Sequence, residues 1–189
     1  MLKDLSLAYM LEGHKCLNDK KINSAILQLE KAILFDDSNW EAMNLLGLCF
    51  YTLGNFKEAK SIWSRSLSVN SKENNRALNY CNTLDEDEFQ AICNSYNEAL
   101  KKVREGQYKK ADRILKEEIL IKSNIVLFIK FKGLCKFAAG NKYKAVSLWK
   151  QVLEINMEDM EAVKYIAEST DSKGEGRGVY NFFRNLFNR

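Results

Sequence analysis

The side chains that most often carry chemistry in proteins are sparse in this sequence. Its only histidine, His14, has no cysteine or carboxylate at a metal-ligand spacing, which indicates a surface or groove residue rather than a ligand or a catalytic base. The five cysteines are odd in number and include no C-x-x-C pair, so they are predicted to be reduced thiols rather than a zinc site or a disulfide framework. We therefore predict no metal and no cofactor.

Motifs for nucleotide binding and hydrolysis are missing as well. The sequence contains no P-loop and no G-x-S-x-G, G-x-G-x-x-G or H-E-x-x-H motif. The segment 174–178, GEGRG, resembles a glycine-rich phosphate loop only loosely, and it follows a predicted helix rather than a strand. It is predicted to be a linker, and the protein is predicted not to be an enzyme.

The composition is typical of a globular protein, with 46% hydrophobic and 29% charged residues among 189. The net charge of +4 and the pI near 8.7 are too mildly basic for a dedicated nucleic-acid binder, so no nucleic-acid partner is predicted. No apolar run approaches 18 residues and charge interrupts the N-terminus early, so we expect neither a membrane span nor a secretory signal. The expected location is cytoplasmic.

The elements that must position any binding site are helices, because proline is absent and the apolar residues recur at helical spacing. A small residue followed twelve positions later by alanine occurs four times, and a large residue comes four positions after each alanine. Small residues at both points let two antiparallel helices approach closely, and the large residue fills the space beside them. The four sets are Gly13, Ala25 and Leu29; Gly47, Ala59 and Trp63; Ala99, Ala111 and Leu115; and Gly133, Ala145 and Trp149.

These sets resemble the 34-residue unit of the tetratricopeptide repeat (TPR) family, which carries Leu-Gly-x-x-Tyr in its first helix and Ala-x-x-x-Phe in its second. The second unit here has Leu46-Gly47-x-x-Phe50 and Ala59-x-x-x-Trp63, and four units in phase cover about residues 6–157. The resemblance implies an all-α, right-handed helical solenoid of antiparallel helix pairs. The family's proline near the end of each unit is missing, so polar caps such as residues 37–39 and 70–71 are predicted to end the helices.

A duplication organises the repeats. Residues 47–70 align with residues 133–156 at an offset of 86, sharing Gly-Leu-Cys, Gly-Asn, a tryptophan and the final asparagine. The prediction is a first block of two repeats and a capping half-repeat (1–84), a second block of the same kind (85–170), a glycine-rich linker (171–178) and an amphipathic C-terminal helix (179–189). The acidic run 85–88 fits the start of a long helix over 85–105, where the helix dipole favours carboxylates. The alternative is an acidic docking site for a basic partner.

The C-terminal segment, VYNFFRNLFNR, places its apolar residues on one helical stripe, and eleven residues are too few for a stable helix alone. It is expected to lie against something: the chain's own groove or cap, a second copy in a homo-oligomer, a membrane interface, or a partner on which it folds. A membrane is not the expected partner, because the polar side is mostly asparagine. The docking residues are Val179, Phe182, Phe183, Leu186 and Phe187.

The resemblance also implies where a ligand binds, because first helices of successive TPR units line a concave groove that takes extended peptides or helices. The cations of the family's chaperone-tail clamp are missing here, so an apolar groove with side-chain amides is predicted instead. The predicted peptide-binding groove consists of Met10, His14, Asn44, Leu48, Tyr51, Asn75, Asn79, Asn97, Lys130, Leu134 and Phe137, with Leu7, Leu17, Glu41, Cys93, Leu100 and Leu127 also along it.

The sequence thus predicts a non-catalytic protein–protein interaction scaffold that binds a peptide or helix of a partner protein in this groove. The alternative is a structural or assembly component that oligomerises or attaches through its aromatic C-terminal helix. Neither the partner nor the block that binds it can be read from the residues.

Overall fold

A computed structural model describes residues 1–72, 74–116 and 123–170. Across these residues the regular secondary structure is entirely helical, which confirms the predicted all-α class. The predicted linker 171–178 and tail helix 179–189, with their docking residues, lie outside the described residues. The helices are α1 (Leu2–Asn18), α2 (Ile22–Phe35), α3 (Trp40–Leu53), α4 (Phe56–Val69), α5 (Ala77–Asp85), α6 (Asp87–Arg104), α7 (Tyr108–Ile114), α8 (Val126–Ala138), α9 (Lys142–Ile155) and α10 (Met160–Thr170).

Most of the described helices pack on the next described helix in the sequence, and the contacts divide the chain into two compact units. The first unit is Met1–Gln90 and the second is Ala91–Arg189, so the division falls within α6. In the first unit α1 packs on α2, α2 on α3, α3 on α4 and α4 on α5, and in the second unit α7, α8, α9 and α10 follow in the same manner. The predicted block boundary between residues 84 and 85 stays a prediction.

The closest helix contacts are those of the small and large residues identified above. A Cβ atom on Gly47 would overlap the indole of Trp63, and one on Gly133 would overlap the indole of Trp149 in the same way. At Gly13 the same atom would lie 2.8 Å from Cγ of Leu29. The four alanines of the pattern, Ala25, Ala59, Ala111 and Ala145, are completely buried. The spacing therefore fixes where the paired helices touch.

Asparagine and glycine cap the starts and ends of helices in place of the missing proline. The Oδ1 atom of Asn39 accepts a 2.9 Å hydrogen bond from the amide of Ala42 at the start of α3, as the polar-cap prediction requires. The turn after α3 has Gly54 at φ 92°, a left-handed conformation that glycine adopts without steric cost. Asn70 follows α4 and accepts a hydrogen bond of 3.1 Å from the amide of Lys72.

The acidic run is split between two helices, which corrects the prediction that it begins one. Asp85 is the last residue of α5 and forms an exposed ion pair with Lys60 at 3.1 Å. Asp87 and Glu88 occupy the first turn of α6, where the helix dipole favours them. The short α5 packs against α4. Its role as a capping half-repeat stays a prediction.

The second helix of the third repeat is short, and a buried lysine lies at its end. α7 has 7 residues, whereas α2, α4 and α9 have 14 each. The ammonium group of Lys132, which is 3% exposed, donates to the backbone carbonyls of Asp112 and Leu115 and lies 2.6 Å from the Asp112 carboxylate. These bonds satisfy carbonyl groups that the early helix end leaves without partners. The carboxylate compensates the buried charge.

Candidate functional site

A pocket of about 340 Å³ opens on the first unit, between α1, α3 and the start of α5. Its wall combines apolar and aromatic side chains with two side-chain amides and two opposite charges. Such a composition suits an apolar ligand group oriented by a few polar contacts. The lining residues are Met10, Trp40, Glu41, Asn44, Leu45, Leu48, Asn74, Arg76 and Tyr80.

The pocket follows from the helical period of α3. Trp40, Asn44 and Leu48 lie four residues apart and therefore share one face, with Glu41 and Leu45 beside them. The opposite face of α3 carries the buried residues that pack on α2 and α4, such as Met43 and Leu46. One helix thus supplies the unit's core on one side and the longest wall of the pocket on the other.

Asn44 and Asn75 form a buried amide pair at the base of the pocket. The Nδ2 atom of Asn44 donates to Oδ1 of Asn75 over 2.8 Å. The orientation of Asn75 is determined by its other bonds, because its Nδ2 donates to the backbone carbonyls of Ser66 and Asn70 and its Oδ1 accepts the amide of Ala77. Asn75 is therefore a structural residue that connects α4 and α5.

The network leaves one acceptor of Asn44 unused. Because Asn75 must present its oxygen, Asn44 must present its nitrogen, and its own Oδ1 points away from the pair. That oxygen has no hydrogen-bond partner among the described residues and is shielded from water. The whole Asn44 side chain is only 8% exposed. A buried acceptor without a donor costs about 1–3 kcal/mol, so this position favours any group that brings an N–H or O–H to it.

The other groove residues predicted in the first unit do not line the pocket. The ring of Tyr51 lies in an aromatic cluster, with ring centroids 5.8 Å from Phe56 and Phe89 and 6.1 Å from Trp63. His14 is exposed, and its Nδ1 lies 3.3 Å from the amide nitrogen of Asn18. Asn79 is exposed on α5. The structure thus brings Met10, Asn44 and Leu48 together with Glu41.

Five lining residues were missing from the predicted groove: Trp40, Leu45, Asn74, Arg76 and Tyr80. Trp40 and Leu45 belong to the same face of α3 and could have been found by extending the four-residue spacing from Asn44. The other three come from the segment between α4 and the middle of α5. The predicted groove included Asn75 and Asn79 from the same segment but none of these three residues.

In the second unit an ion pair occupies the position of the amide pair. Lys130 aligns with Asn44 at the offset of 86, and its ammonium lies 2.9 Å from the Asp159 carboxylate and 2.7 Å from that of Glu161. Asp159 also accepts a hydrogen bond from the amide of Ala162 at the start of α10. Asn75 caps the start of α5 in the same manner. Burial lowers the pKa of Lys130, but the hydrogen bonds that its ammonium donates to Glu161 and Asp159, together with their charges, outweigh that effect and raise it.

The remaining positions predicted in the second unit differ in their exposure. Leu134, which aligns with Leu48, is 1% exposed and belongs to the core. The ring of Phe137 packs 6.0 Å from that of Trp149 and lies under the ammonium of Lys142. Asn97 is exposed on α6. The duplicated sequence therefore does not produce duplicated pockets of the same chemistry.

The described residues offer no assembly for metal or thiol chemistry. No group of three or more His, Cys, Asp or Glu side chains converges on a point in the parts of the chain that the structure describes. Burial raises the pKa of Cys49 to about 12, and that of Cys135 likewise to about 12, which keeps both thiols protonated and unreactive at neutral pH. No helix within the described ranges is long and apolar enough to cross a bilayer.

No family model matches the sequence, and no curated protein is detectably similar to it. Among solved structures, the TPR domain of P58(IPK) superposes with a TM-score of 0.51 at 14% identity, covering 97% of this chain and 56% of that one. The chain therefore spans little more than half of that domain's length. MamA from Desulfovibrio magneticus RS-1 and its ArsTM double mutant are similar over 100% of this chain and 96% of theirs, with TM-scores of 0.38 and 0.39 at 14% and 13% identity.

Only the P58(IPK) comparison bears on the fold, because the other two TM-scores are too low to support an argument. It agrees with the repeat spacing, the helix pairs and the glycine–tryptophan contacts found in the chain itself. The chain is a TPR-like helical-repeat protein.

Proposed function

We propose that the protein is a non-catalytic interaction scaffold and that the pocket of the first unit binds a short peptide segment of a partner protein. The observation that carries this proposal is the unused Oδ1 of Asn44 beside an apolar, aromatic wall. An apolar anchor side chain would enter the pocket, and an N–H of the ligand would donate to Asn44. Because that oxygen is shielded from water, a ligand would reach it by displacing neighbouring side chains.

The charges at the pocket favour one orientation of a bound peptide. Glu41 and Arg76 both line it, and neither forms an ion pair with another described residue. Glu41 extends from the first turn of α3, and Arg76 precedes α5. A peptide with a basic residue on the Glu41 side and an acidic residue on the Arg76 side of its anchor would therefore be preferred.

The second unit is not proposed to bind in the same manner. Its Lys130 is already engaged by Asp159 and Glu161, and Leu134 is buried in the core. A ligand there would have to displace two carboxylates before reaching the position that corresponds to Asn44. We therefore assign peptide binding to the first unit.

The proposal can be tested with a random peptide library displayed on phage and selected against the whole protein. Enriched peptides are then measured against Leu48→Glu, which places a charge in the pocket wall, and against Leu34→Glu as a control. Leu34 lies on α2, is 80% exposed and does not line the pocket, so its substitution introduces the same charge elsewhere on the unit.

The expected result is binding to the wild type and to Leu34→Glu, with a loss of at least about tenfold in Leu48→Glu. The proposal is overturned if selection enriches no peptide, or if the enriched peptides bind the two variants equally well.

A further inference from the structure

The net charge of +4 conceals a separation of charge between the two units. Residues 1–90 contain 10 Lys or Arg and 13 Asp or Glu, whereas residues 91–189 contain 19 and 12. The densest part of this excess is the hairpin of α6 and α7, where residues 99–116 hold seven cations and two carboxylates. A charge concentrated in this way creates a local field that the overall composition does not reveal.

The cations of the hairpin are exposed and have few carboxylate partners. Lys101, Arg104, Lys109, Lys110 and Arg113 all face solvent, and none forms an ion pair with another described residue. Both carboxylates of the segment are already engaged: Glu105 pairs with Lys102 at 2.8 Å, and Asp112 pairs with two lysines of α8. Among the described residues, most of the positive charge at this surface is therefore left without a carboxylate partner.

Cations of the two helices face a common point at the turn. The hydrogen bond from Lys102 lowers the pKa of Glu105, and the charges of Lys101 on α6 and Lys110 on α7 lower it further. Glu105 stands at the α6–α7 turn, next to Gly106. The turn at residues 105–107 is closed by a hydrogen bond from the amide of Gln107 to the carbonyl of Lys102, so the cations at the end of α6 and the start of α7 are neighbours in space.

The turn between α8 and α9 lies on the same side of the unit as the turn between α6 and α7. Lys132 of α8 contacts Leu115 and Asp112, and Lys136, one helical turn later, contacts Asp112. α8 therefore runs antiparallel to α7, and its end lies toward the start of α7. The turn that follows carries the exposed Lys142, and beside it Tyr143, which is 84% exposed.

We propose that this basic edge, defined as Lys101, Arg104, Lys109, Lys110, Lys142 and Tyr143, binds the surface of an anionic lipid membrane. Lysine and arginine attract acidic headgroups, and an exposed tyrosine suits the interfacial region of a bilayer. The edge is made of helix ends and turns, without the groove or the several stacking aromatics by which proteins hold nucleic acids. The site lies in the second unit and does not use the peptide pocket of the first.

The test is co-sedimentation of the full chain with phosphatidylcholine vesicles, with and without about 30% phosphatidylserine, at about 0.1 M salt. The variant Lys109→Gln/Lys110→Gln is compared with Lys150→Gln/Lys164→Gln, which removes the same charge from exposed positions on α9 and α10, away from the edge. Circular dichroism of each variant confirms that it remains folded.

We expect binding only to the phosphatidylserine vesicles. The affinity should fall roughly fivefold for each edge lysine removed, and therefore about 25-fold in Lys109→Gln/Lys110→Gln. In Lys150→Gln/Lys164→Gln the affinity should change less than about threefold. Leu48→Glu should bind the vesicles as the wild type does, which separates this site from the peptide pocket. The proposal is overturned if the chain does not bind these vesicles, if both double variants lose affinity equally, or if the edge variant instead weakens binding to duplex RNA or DNA while vesicles are not bound.

Discussion

The indole nitrogen of Trp63 donates a 3.2 Å hydrogen bond to the backbone carbonyl of Asn44. The equivalent pair in the second unit, Trp149 and the carbonyl of Lys130, has the same length. In both units the tryptophan thus donates to the backbone at the same repeat position. That position is Asn44 in the first unit and Lys130 in the second. The fold holds positions 44 and 130 in the same way, and the two side chains there give them different chemistry.

The contact between Gly47 and Trp63 should be intolerant of any added atom. Gly47→Ala is expected to lower the free energy of unfolding by about 2–3 kcal/mol, because the new methyl group overlaps a rigid, buried indole. Gly13→Ala is the matched control: its methyl would lie 2.8 Å from Cγ of Leu29, a smaller overlap than with the indole, and alanine's helix propensity offsets part of the cost, so the change should stay within about 1 kcal/mol. Urea denaturation of both variants checks the difference, and equal losses would contradict the proposed packing.

Alanine variants of Asn44 and Asn75 should affect peptide binding and folding stability differently. Asn75→Ala removes bonds to Ser66, Asn70 and Ala77 and is expected to cost about 2–3 kcal/mol of unfolding free energy. Asn44→Ala loses one bond and also removes an unsatisfied buried oxygen, so it should cost less than about 1 kcal/mol while weakening peptide binding about tenfold. Thermal or urea unfolding and peptide titration of each variant provide the two readouts. Asn44→Ala binding peptide as tightly as the wild type would show that Asn44 does not contact the ligand.

Removing Lys130 should destabilise the second unit through the carboxylate left behind. Asp159 is 7% exposed, so Lys130→Met leaves a buried charge without its partner, at an expected cost of about 2–3 kcal/mol. The double variant Lys130→Asn/Asp159→Asn recreates the amide pair of the first unit and should recover at least half of that loss. Unfolding in urea measures both, and a double variant less stable than Lys130→Met would refute the equivalence of the two pairs.

Because two thiols are buried, we expect the protein to lose stability at alkaline pH. The pKa of Cys49 and of Cys135 is raised from 9.0 to about 12 in the fold, so unfolding releases protons once the pH exceeds the ordinary thiol value. Their stabilising contribution is complete below about pH 8.5 and falls above it by about 1.4 kcal/mol per pH unit for each thiol. Denaturation between about pH 9 and 10.5 should therefore show a shallower pH slope in Cys49→Ala/Cys135→Ala. Parallel slopes would mean that these thiols titrate normally.

Much of the fold could be read from the sequence, because close helix packing demands particular residue sizes at fixed spacing. Gly47, Ala59 and Trp63 identify a helix pair without further information, and the offset of 86 identifies its second copy. The capping role of Asn39 follows equally from its place before an apolar run. These are local requirements, and local sequence expresses them.

The site was harder to predict because it depends on contacts between distant segments. Leu48 and Leu134 occupy equivalent positions, yet one lines a pocket and the other is buried, a difference that arises from what packs over each helix. Arg76 reaches the pocket from the predicted capping half-repeat, where the small–large spacing of the full repeats is missing. The basic edge escaped detection because the charge summed over the whole chain conceals an acidic first unit and a basic second one.

The central claim is that the first-unit pocket holds a partner peptide, and the most direct measurement is an NMR titration of the whole protein with a library-selected peptide. We expect the largest shift changes at the side-chain amide of Asn44, the indole of Trp40 and the methyl groups of Leu48, and we expect the changes at Asn44 and Trp40 to be lost in Leu48→Glu. Shift changes confined to the second unit, around Lys130 and Leu134, would contradict the claim.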